Sequence, residues 1–353
     1  MMKKRVVSAT LVLVLGAGIF MTGCGSSQEK KGTLTVFNYG EYMDPAVLDM
    51  FYEETGIEIK YEESLTPEEM YTKYKAGAID YDLLCSTDYM IEKLIQEGEL
   101  QEIDLSAMEN KDNIGDKYWG FSEAFDPGNK YTVPYFWGTV GILYDTTKVK
   151  EPVDSWEDMF SGEYAGEIIM QNSMRDTLSV ALKALGYSLN TNDENEIRQA
   201  YELLTKQKSD VQSYLVDEAR DEVVAGNATM ALVYSGEAYL GREYNENLEY
   251  VVPKEGSQVW MDSWGVTKNC KNPDMAMQFL DFLCREDIAK MNFEYIYYST
   301  PNEAVIESLS EEERSDETLV PNDEVTENCE VCVQQKPEIV DLENELWKKL
   351  KAE

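Results

Sequence analysis

Tyrosine, tryptophan and acidic residues occur together at several places along this chain. The clusters are Tyr39-Gly40-Glu41-Tyr42, Thr87-Asp88-Tyr89, Arg175-Asp176, Tyr234 and Trp260-Met261-Asp262. An aromatic face attracts an organic cation by about 0.5 to 2 kcal/mol, and a carboxylate accepts charge-assisted hydrogen bonds from ammonium groups. A cleft lined by both would suit an elongated organic polycation. Each cluster alone also has a structural explanation, because such aromatics often pack in cores and an acid such as Asp88 often caps a helix.

The hydrophobic pattern predicts alternating strands and helices. Strands are predicted over 34–39, 57–61, 81–85, 168–171 and 230–234. Helices are predicted between Asp44 and Gly56, from Thr66, from Ser155, and over 89–97, 177–185, 194–206, 273–284 and 339–350. This alternation indicates an α/β fold with a mostly parallel sheet. A second α/β region begins past Gly138, and the clusters follow strands, where open sheets bind ligands.

Composition excludes several classes of function. The 353 residues contain no histidine, which removes Ser-His-Asp and Cys-His catalysis and the commonest zinc sites. A net charge of -37 excludes nucleic acid bound through its phosphates. We expect no cofactor and no bound metal. Cys329 and Cys332 could form a disulfide or a redox pair, but their polar, acidic surroundings favour a local bridge or no role.

The N-terminus has the pattern of an export signal. Lys3-Lys4-Arg5 precedes an apolar stretch over 6–21 and then Thr22-Gly23-Cys24. We predict a signal peptide over 1–23, acylation of Cys24 and a polar tether over 24–31, which retains the protein at the outer face of the cytoplasmic membrane or in the periplasm. Loss of three basic residues would move the charge from -37 to -40. The alternative is a plain signal peptide with an incidental cysteine.

Several segments carry a family resemblance over residues 33–320. They are Phe37-Asn38-Tyr39-Gly40-Glu41-Tyr42, Val133-Pro134-Tyr135-Phe136-Trp137-Gly138, Trp260-Met261-Asp262-Ser263 and Ser299-Thr300-Pro301-Asn302. In these segments the chain resembles the spermidine/putrescine-binding lipoproteins of ABC importers. The resemblance implies a two-lobed, type II periplasmic-binding-protein-like fold with a ligand cleft between the lobes. Lobe 1 would comprise 32–137 and 262–305, and lobe 2 would comprise 138–261 and 306–353.

The resemblance also implies a ligand site and partners. Cleft-lining residues would be Tyr39, Tyr42, Thr87, Tyr89, Tyr234, Trp260 and Tyr298. Asp262 would hold an amine, and Asp176 stands where the family has a glutamate. Glu41 and Asp88 complete the predicted ligand-binding set as further acids. The protein would be a monomeric receptor that captures polyamine by cleft closure and passes it to ABC permease subunits with a cytoplasmic ATPase.

Departures from the family pattern bear on the ligand. Ser173 stands where spermidine-type members carry a second acid, which favours the diamine putrescine over a triamine. Cys332 falls where a glutamine is expected. One alternative is a receptor for another small amine or an amino acid, whose carboxylate Arg175 could receive. A more distant alternative is a surface enzyme that uses carboxylates.

Overall fold

The computed structural model describes residues 30–216 and 218–352. The predicted signal peptide and Cys24 lie outside these residues, as does most of the tether. The strands are β1 (Gly32–Tyr39), β2 (Ile57–Ser64), β3 (Leu83–Thr87), β4 (Thr132–Asp145), β5 (Ile168–Gln171), β6 (Val211–Leu215), β7 (Met230–Tyr234), β8 (Leu248–Val251), β9 (Gln258–Val266) and β10 (Glu330–Val331).

Helices surround these strands. They are α1 (Pro45–Thr55), α2 (Pro67–Ala76), α3 (Asp88–Gln96), α4 (Asp116–Ser122), α5 (Glu157–Phe160), α6 (Met174–Ala184), α7 (Glu194–Gln207), α8 (Glu218–Val224), α9 (Ser235–Tyr244), α10 (Pro273–Leu283), α11 (Glu286–Ile296), α12 (Glu303–Ser308), α13 (Glu311–Ser315), α14 (Asp323–Thr326) and α15 (Pro337–Ala352). Across the described ranges, none of these helices has the length and apolar character needed to cross a membrane.

Local sequence signals explain most of the helix ends. Asp44 caps α1 by accepting a hydrogen bond from the Ala46 amide, and Pro45 occupies the first helical position. Gly56 ends the helix with a φ of 75°, a conformation that glycine adopts without a steric cost. The predicted boundaries of α1 are therefore confirmed.

The sheet is mixed, so the prediction of a mostly parallel sheet is wrong at its centre. The strand order is β2-β1-β3-β9-β4-β7-β5-β6, with β10 beside β9 and β8 beside β4. The outer groups, β1 to β3 and β5 to β7, pair in parallel, whereas β9 is antiparallel to β3 and β4, and β4 is antiparallel to β7 and β8. The two central strands carry the chain between the halves of the sheet in opposite directions, which makes them antiparallel to each other.

Strand β4 joins the two halves of the sheet. Its first part, through Thr139, pairs with β9, and its second part, from Val140, pairs with β7. Gly138, after which the second α/β region was predicted to begin, lies inside this strand. All residues of β4 and β9 are buried. Trp137 and Met261, where the predicted lobes divide, are register partners, but the lobe boundaries themselves stay a prediction.

Candidate ligand-binding site

The first carboxyl group of the candidate site lies at the centre of the sheet. Asp262 is in the middle of β9, opposite Thr87 at the end of β3. Tyr42, in the loop after β1, donates a hydrogen bond of 2.7 Å to Asp262 Oδ2. Trp260 shares β9 with Asp262, so the expectation that this cluster follows a strand is wrong. The crossing strand brings its own middle to the ends of β1 and β3.

The second carboxyl group belongs to the first turn of α6. Ser173 caps this helix, and its hydroxyl accepts a hydrogen bond of 3.4 Å from the Asp176 amide. Tyr234, the last residue of β7, donates a hydrogen bond of 2.7 Å to Asp176 Oδ2. Each of the two carboxyls is therefore held by one tyrosine hydroxyl at the end of a strand or in the loop after it.

A row of aromatic rings connects these two tyrosines. Tyr42 meets Tyr298 with ring centroids 5.9 Å apart, Tyr298 meets Trp260 at 5.2 Å, and Trp260 meets Tyr234 at 6.0 Å. Tyr39 extends the row beyond Tyr42 at 5.5 Å. The contacts are edge-to-face, a favourable geometry for aromatic pairs. All the predicted aromatic residues except Tyr89 thus form one continuous row with a carboxyl near each end.

Burial controls the electrostatics of the site. Burial raises the pKa of Asp262 from its ordinary value of 3.8 to about 6, although hydrogen bonds from Tyr42 and Thr87 lower it. Burial likewise raises the pKa of Asp176 and, more strongly, that of Asp88. Within 30–216 and 218–352, none of these three carboxyls has a lysine or arginine nitrogen within 4 Å. The charged form of each is therefore incompletely compensated.

Arg175 contacts residues of the C-terminal part of the chain and of the loop before α7. Its guanidinium donates hydrogen bonds to Gln335 and Asn190 and lies 3.8 Å from Glu343. The positive charge lowers the pKa of Asp88 and Asp176 from a longer range. These contacts occupy both terminal nitrogens of the guanidinium, whereas its Nε is buried without a hydrogen-bond partner; a ligand carboxylate would have to displace one of the present partners to bind Arg175 through two nitrogens.

The remaining predicted residues occupy different surroundings. Asp88 begins α3 and is fully buried; its Oδ1 accepts from the Tyr89 amide at 2.7 Å, while its Oδ2 has no hydrogen-bond partner. The hydroxyl of the half-buried Tyr89 donates to Glu68 at 2.9 Å. Glu41 is exposed, with a φ of 53°, and takes no part in the contacts described above. The assignment of all these residues to ligand binding stays a prediction.

Two glycines outside the predicted ligand-binding set make room for the aromatic row. A Cβ atom at Gly138 would lie 2.7 Å from the Trp260 ring, and one at Gly236 would lie 2.0 Å from the Tyr298 ring. Both positions follow or interrupt strongly apolar runs, where a glycine can indicate a close approach of side chain to backbone. A glycine within or directly after an apolar run is therefore the sequence signal that could have identified these two positions.

The site is closed. Tyr42 and Asp262 are each 7% exposed, and Asp176 and Trp260 are each 5% exposed. A cavity of about 590 Å³ lies instead at the surface beside Trp119. Tyr39, Tyr234 and Tyr298 are half-buried, so part of the row of rings reaches the surface, whereas both carboxyls are almost fully covered.

The cysteines and acids of the described ranges form no other chemical centre. Cys329 and Cys332 are free thiols, so the possible local bridge is absent. Burial raises the pKa of Cys332 to about 12, although the neighbouring Arg175 lowers it. Among residues 30–216 and 218–352, no group of three or more cysteines and acids is arranged to hold a metal ion.

Comparison with known proteins gives the family. Residues 46–321 match the family model of bacterial extracellular solute-binding proteins, and the chain belongs to that family. The protein is thus a solute-binding protein that serves transport, and it is not an enzyme, as predicted. Family membership also agrees with a position outside the cytoplasm.

Individual relatives cover nearly the whole chain. A spermidine/putrescine-binding periplasmic protein of Escherichia coli K12 is 36% identical over 323 residues, which are 90% of this chain and 91% of the relative. A putrescine-binding periplasmic protein of Pseudomonas aeruginosa is 30% identical over 341 residues, which are 92% of each chain.

Solved structures confirm the predicted two-lobed α/β fold. A spermidine/putrescine ABC transporter substrate-binding protein from Streptococcus pneumoniae superposes with a TM-score of 0.81 at 37% identity, covering 91% of this chain and 99% of the other. A lipoprotein of Treponema pallidum, at 21% identity, has the same fold with a TM-score of 0.78 and covers 90% of this chain and 99% of its own.

The raised pKa of Asp262 predicts how the free energy of unfolding depends on pH. The folded protein holds this proton more tightly than the unfolded chain does, so the contribution of Asp262 to stability is greatest below pH 4 and is lost as the pH rises through about 6. Without ligand, Asp262→Asn should therefore stabilise the protein at pH 7.5 by up to about 3 kcal/mol, and much less at pH 4. Urea unfolding at both pH values measures this difference.

The exposed Glu41 supplies the matched control. Glu41→Gln should change the free energy of unfolding by less than about 0.5 kcal/mol at either pH. If Asp262→Asn were no more stabilising at pH 7.5 than at pH 4, the buried carboxyl would not carry the cost described above.

Proposed function

We propose that this protein captures a polyamine, putrescine or spermidine, outside the cytoplasm and delivers it to ABC permease subunits with a cytoplasmic ATPase. One observation carries the proposal: a row of aromatic rings has a buried carboxyl near each end, and neither carboxyl has a lysine or arginine nitrogen within 4 Å. The names of the relatives from Escherichia coli and Pseudomonas aeruginosa support the same ligand class.

The chemistry of a diamine matches this arrangement. One ammonium would donate to Asp262 and the other to Asp176, while the methylene chain would lie along the rings of Tyr298 and Trp260. Each ammonium would also meet aromatic faces, which favour a cation by about 0.5 to 2 kcal/mol apiece. Because a buried carboxylate without a cation is costly, binding would remove a penalty that the protein carries without its ligand.

Closure would couple binding to transport. Asp176 and Asp262 are buried, so a ligand would reach them by a separation of the halves of the sheet, and β4 and β9 are the strands that connect those halves. A ligand that contacts Asp262 on β9 and Asp176 on α6 interacts with both halves at once. It therefore favours the closed arrangement over the open one, and the closed form is what a permease can distinguish.

The contacts of Arg175 argue against an amino acid as the ligand. A ligand carboxylate would have to compete with Gln335, Asn190 and Glu343 for the guanidinium. A thermal-shift screen of putrescine, spermidine, amino acids and divalent metals tests the ligand class directly. Stabilisation by polyamines alone is expected, and stabilisation by amino acids alone would overturn the proposal.

The two carboxyls should both be needed for affinity. Removal of one partner of a buried charge pair typically costs about 2 to 5 kcal/mol, so Asp262→Asn and Asp176→Asn should each weaken putrescine binding by at least about tenfold. Asparagine preserves the size of the side chain and the hydrogen bond from the tyrosine. Calorimetric titration of both variants gives the affinities, and Glu53→Gln, at an exposed position of α1 outside the predicted ligand-binding set, is the control. Unchanged affinity in both would rule out these amine sites.

Ser173 is the proposed specificity position. Its hydroxyl caps α6, a role that aspartate also fills well, so Ser173→Asp should fold normally. The added carboxyl lies beside the buried Asp176 and should shift preference towards spermidine, whereas the parent should bind putrescine at least as tightly as spermidine. Competition titrations at matched ionic strength, with Ser173→Thr as the control, measure the ratio. A tenfold spermidine preference in the parent would show that Ser173 does not discriminate.

We also propose that Cys24 anchors the mature protein to the membrane through an acyl group. The basic residues, apolar stretch and Thr22-Gly23-Cys24 support this assignment. Cys24→Ser should release the protein from the membrane fraction, with Ser26→Ala as a control that stays attached. Equal membrane retention of Cys24→Ser and the parent would contradict the anchor.

A further inference from the structure

Helix α9 begins directly after Tyr234, one of the two tyrosines that hold the carboxyls. It packs on β4, β7 and β8, and so belongs to the half of the sheet that carries Asp176. Gly236, Tyr239 and Arg242 follow one another at three-residue spacing and share one side of the helix. Besides the strands of its own half of the sheet, this side of α9 contacts residues that belong to the opposite half of the molecule.

The opposite surface is the segment after α11. That helix packs on α1 and α10, beside the half of the sheet that carries Asp262. The Tyr239 ring stacks on Tyr297, with centroids 5.3 Å apart and planes 25° apart. Both rings pack on a small hydrophobic cluster, whose core residues are Phe293, Val305, Leu309 and Leu319.

Two further contacts flank this stack. On one side, Gly236 lies against the Tyr298 ring so closely that a Cβ atom would be 2.0 Å from it. On the other side, Arg242 donates to both carboxylate oxygens of Asp316 at 3.0 Å. Asp316 falls within the predicted lobe 2, but Leu309 and Leu319 on either side of it pack with Phe293 of α11, so this segment lies against the opposite half. The three contacts follow the order of the residues along α9. We define them together as the α9 clasp.

Tyr297 has an unusual backbone conformation for a tyrosine. Its φ of 61° and ψ of 24° lie in the left-handed region, which residues with a bulky side chain rarely occupy. Such strain persists only where surrounding contacts hold it, and it concentrates at binding sites. The Tyr297 amide donates to the Phe293 carbonyl at 2.7 Å, and the ring is held by Tyr239. The turn at Tyr297 places the next ring, Tyr298, between Tyr42 and Trp260.

We propose that the α9 clasp positions Tyr298 in the aromatic row and holds the closed arrangement, with Tyr239 and Arg242 as positioning residues that do not touch the ligand. The inference rests on the proposed function and extends it to residues outside the ligand site. Since apparent affinity scales with the population of the binding-competent state, weakening the clasp weakens binding without removing any ligand contact. The loss should appear mainly as faster release.

Tyr239 provides the principal test. Tyr239→Ala removes the stacked ring and should raise the putrescine release rate by about tenfold, with association changed by less than about threefold. Tyr239→Phe retains the ring and should release ligand at the parent rate. Tyr244→Ala, a highly exposed tyrosine on the same helix, is the matched control and should also leave release unchanged. Stopped-flow competition measures release.

Arg242→Ala is the second, independent variant. Its side chain is 38% exposed and its ion pair is partly screened by solvent, so release should rise by only about threefold. If Tyr239→Ala does not fold, this variant decides the question. A release rate within the error of the parent for Arg242→Ala would then overturn the proposal.

A merely structural role predicts a different pattern. In that case Tyr239→Ala would lower the melting temperature of the ligand-free protein but leave the release rate within twofold of the parent. That combination overturns the clasp, as does a release rate for Tyr239→Phe that is raised as much as that of Tyr239→Ala.

A ligand-independent measurement separates this inference from the proposed function. If the parent binds neither putrescine nor spermidine, the proposed function fails, and small-angle X-ray scattering of the ligand-free proteins tests the clasp alone. Tyr239→Ala should then have a larger radius of gyration than Tyr239→Phe, because fewer molecules are closed. Equal radii would overturn the clasp.

Discussion

The cost of burying carboxyl groups without a basic partner is the constraint on which the site depends. Asp88, Asp176 and Asp262 are at most 7% exposed, and burial raises the pKa of each. The hydroxyl and amide groups that donate to these carboxylates compensate them only in part, since each supplies a dipole rather than a charge. The folded protein therefore carries an electrostatic penalty, and an organic dication placed between Asp176 and Asp262 would remove it. The electrostatic penalty of the ligand-free protein and its affinity for such a dication would then both arise from the same buried carboxyls.

The rest of the fold positions those carboxyls. Strands β4 and β9 run through both halves of the sheet, so Asp262 can lie within β9 and still meet the ends of β1 and β3. Asp176 comes from the other half, at the start of α6, and Tyr298 reaches the row of rings from the turn after α11. Glycines 138 and 236 let two of the rings approach the backbone. The site is thus assembled from segments of both halves of the sheet, and the Tyr239–Tyr297 stack of the α9 clasp connects the same two halves outside it.

Local patterns in the sequence predicted much of this architecture. The cap at Asp44 and the stop at Gly56 define α1, and the strands β5 and β7 coincide with the predicted ranges. Strand β4 was missed because it is buried on both faces, which removes the alternation of a half-buried strand, and because Pro134 at an irregularity in its pairing argues against a strand. The aromatic and acidic residues were found by type and by resemblance, whereas their order along the row depends on strand register that no local pattern contains. The α9 clasp was not predictable either, because Tyr239 and Tyr297 are far apart in the sequence and no local pattern shows that they meet.

Proton release on ligand binding tests the central claim most directly. Parent protein and Asp262→Asn are titrated calorimetrically with putrescine at pH 6 and pH 8, each in two buffers of different ionisation enthalpy, which gives the number of protons exchanged. Because the pKa of Asp262 is about 6 and an ammonium partner should lower it, the parent should release about half a proton more than the variant at pH 6. The difference should vanish at pH 8. Tight binding with equal proton release from the two proteins at pH 6 would contradict the account, because Asp262 would then not be the buried acid that the ligand compensates.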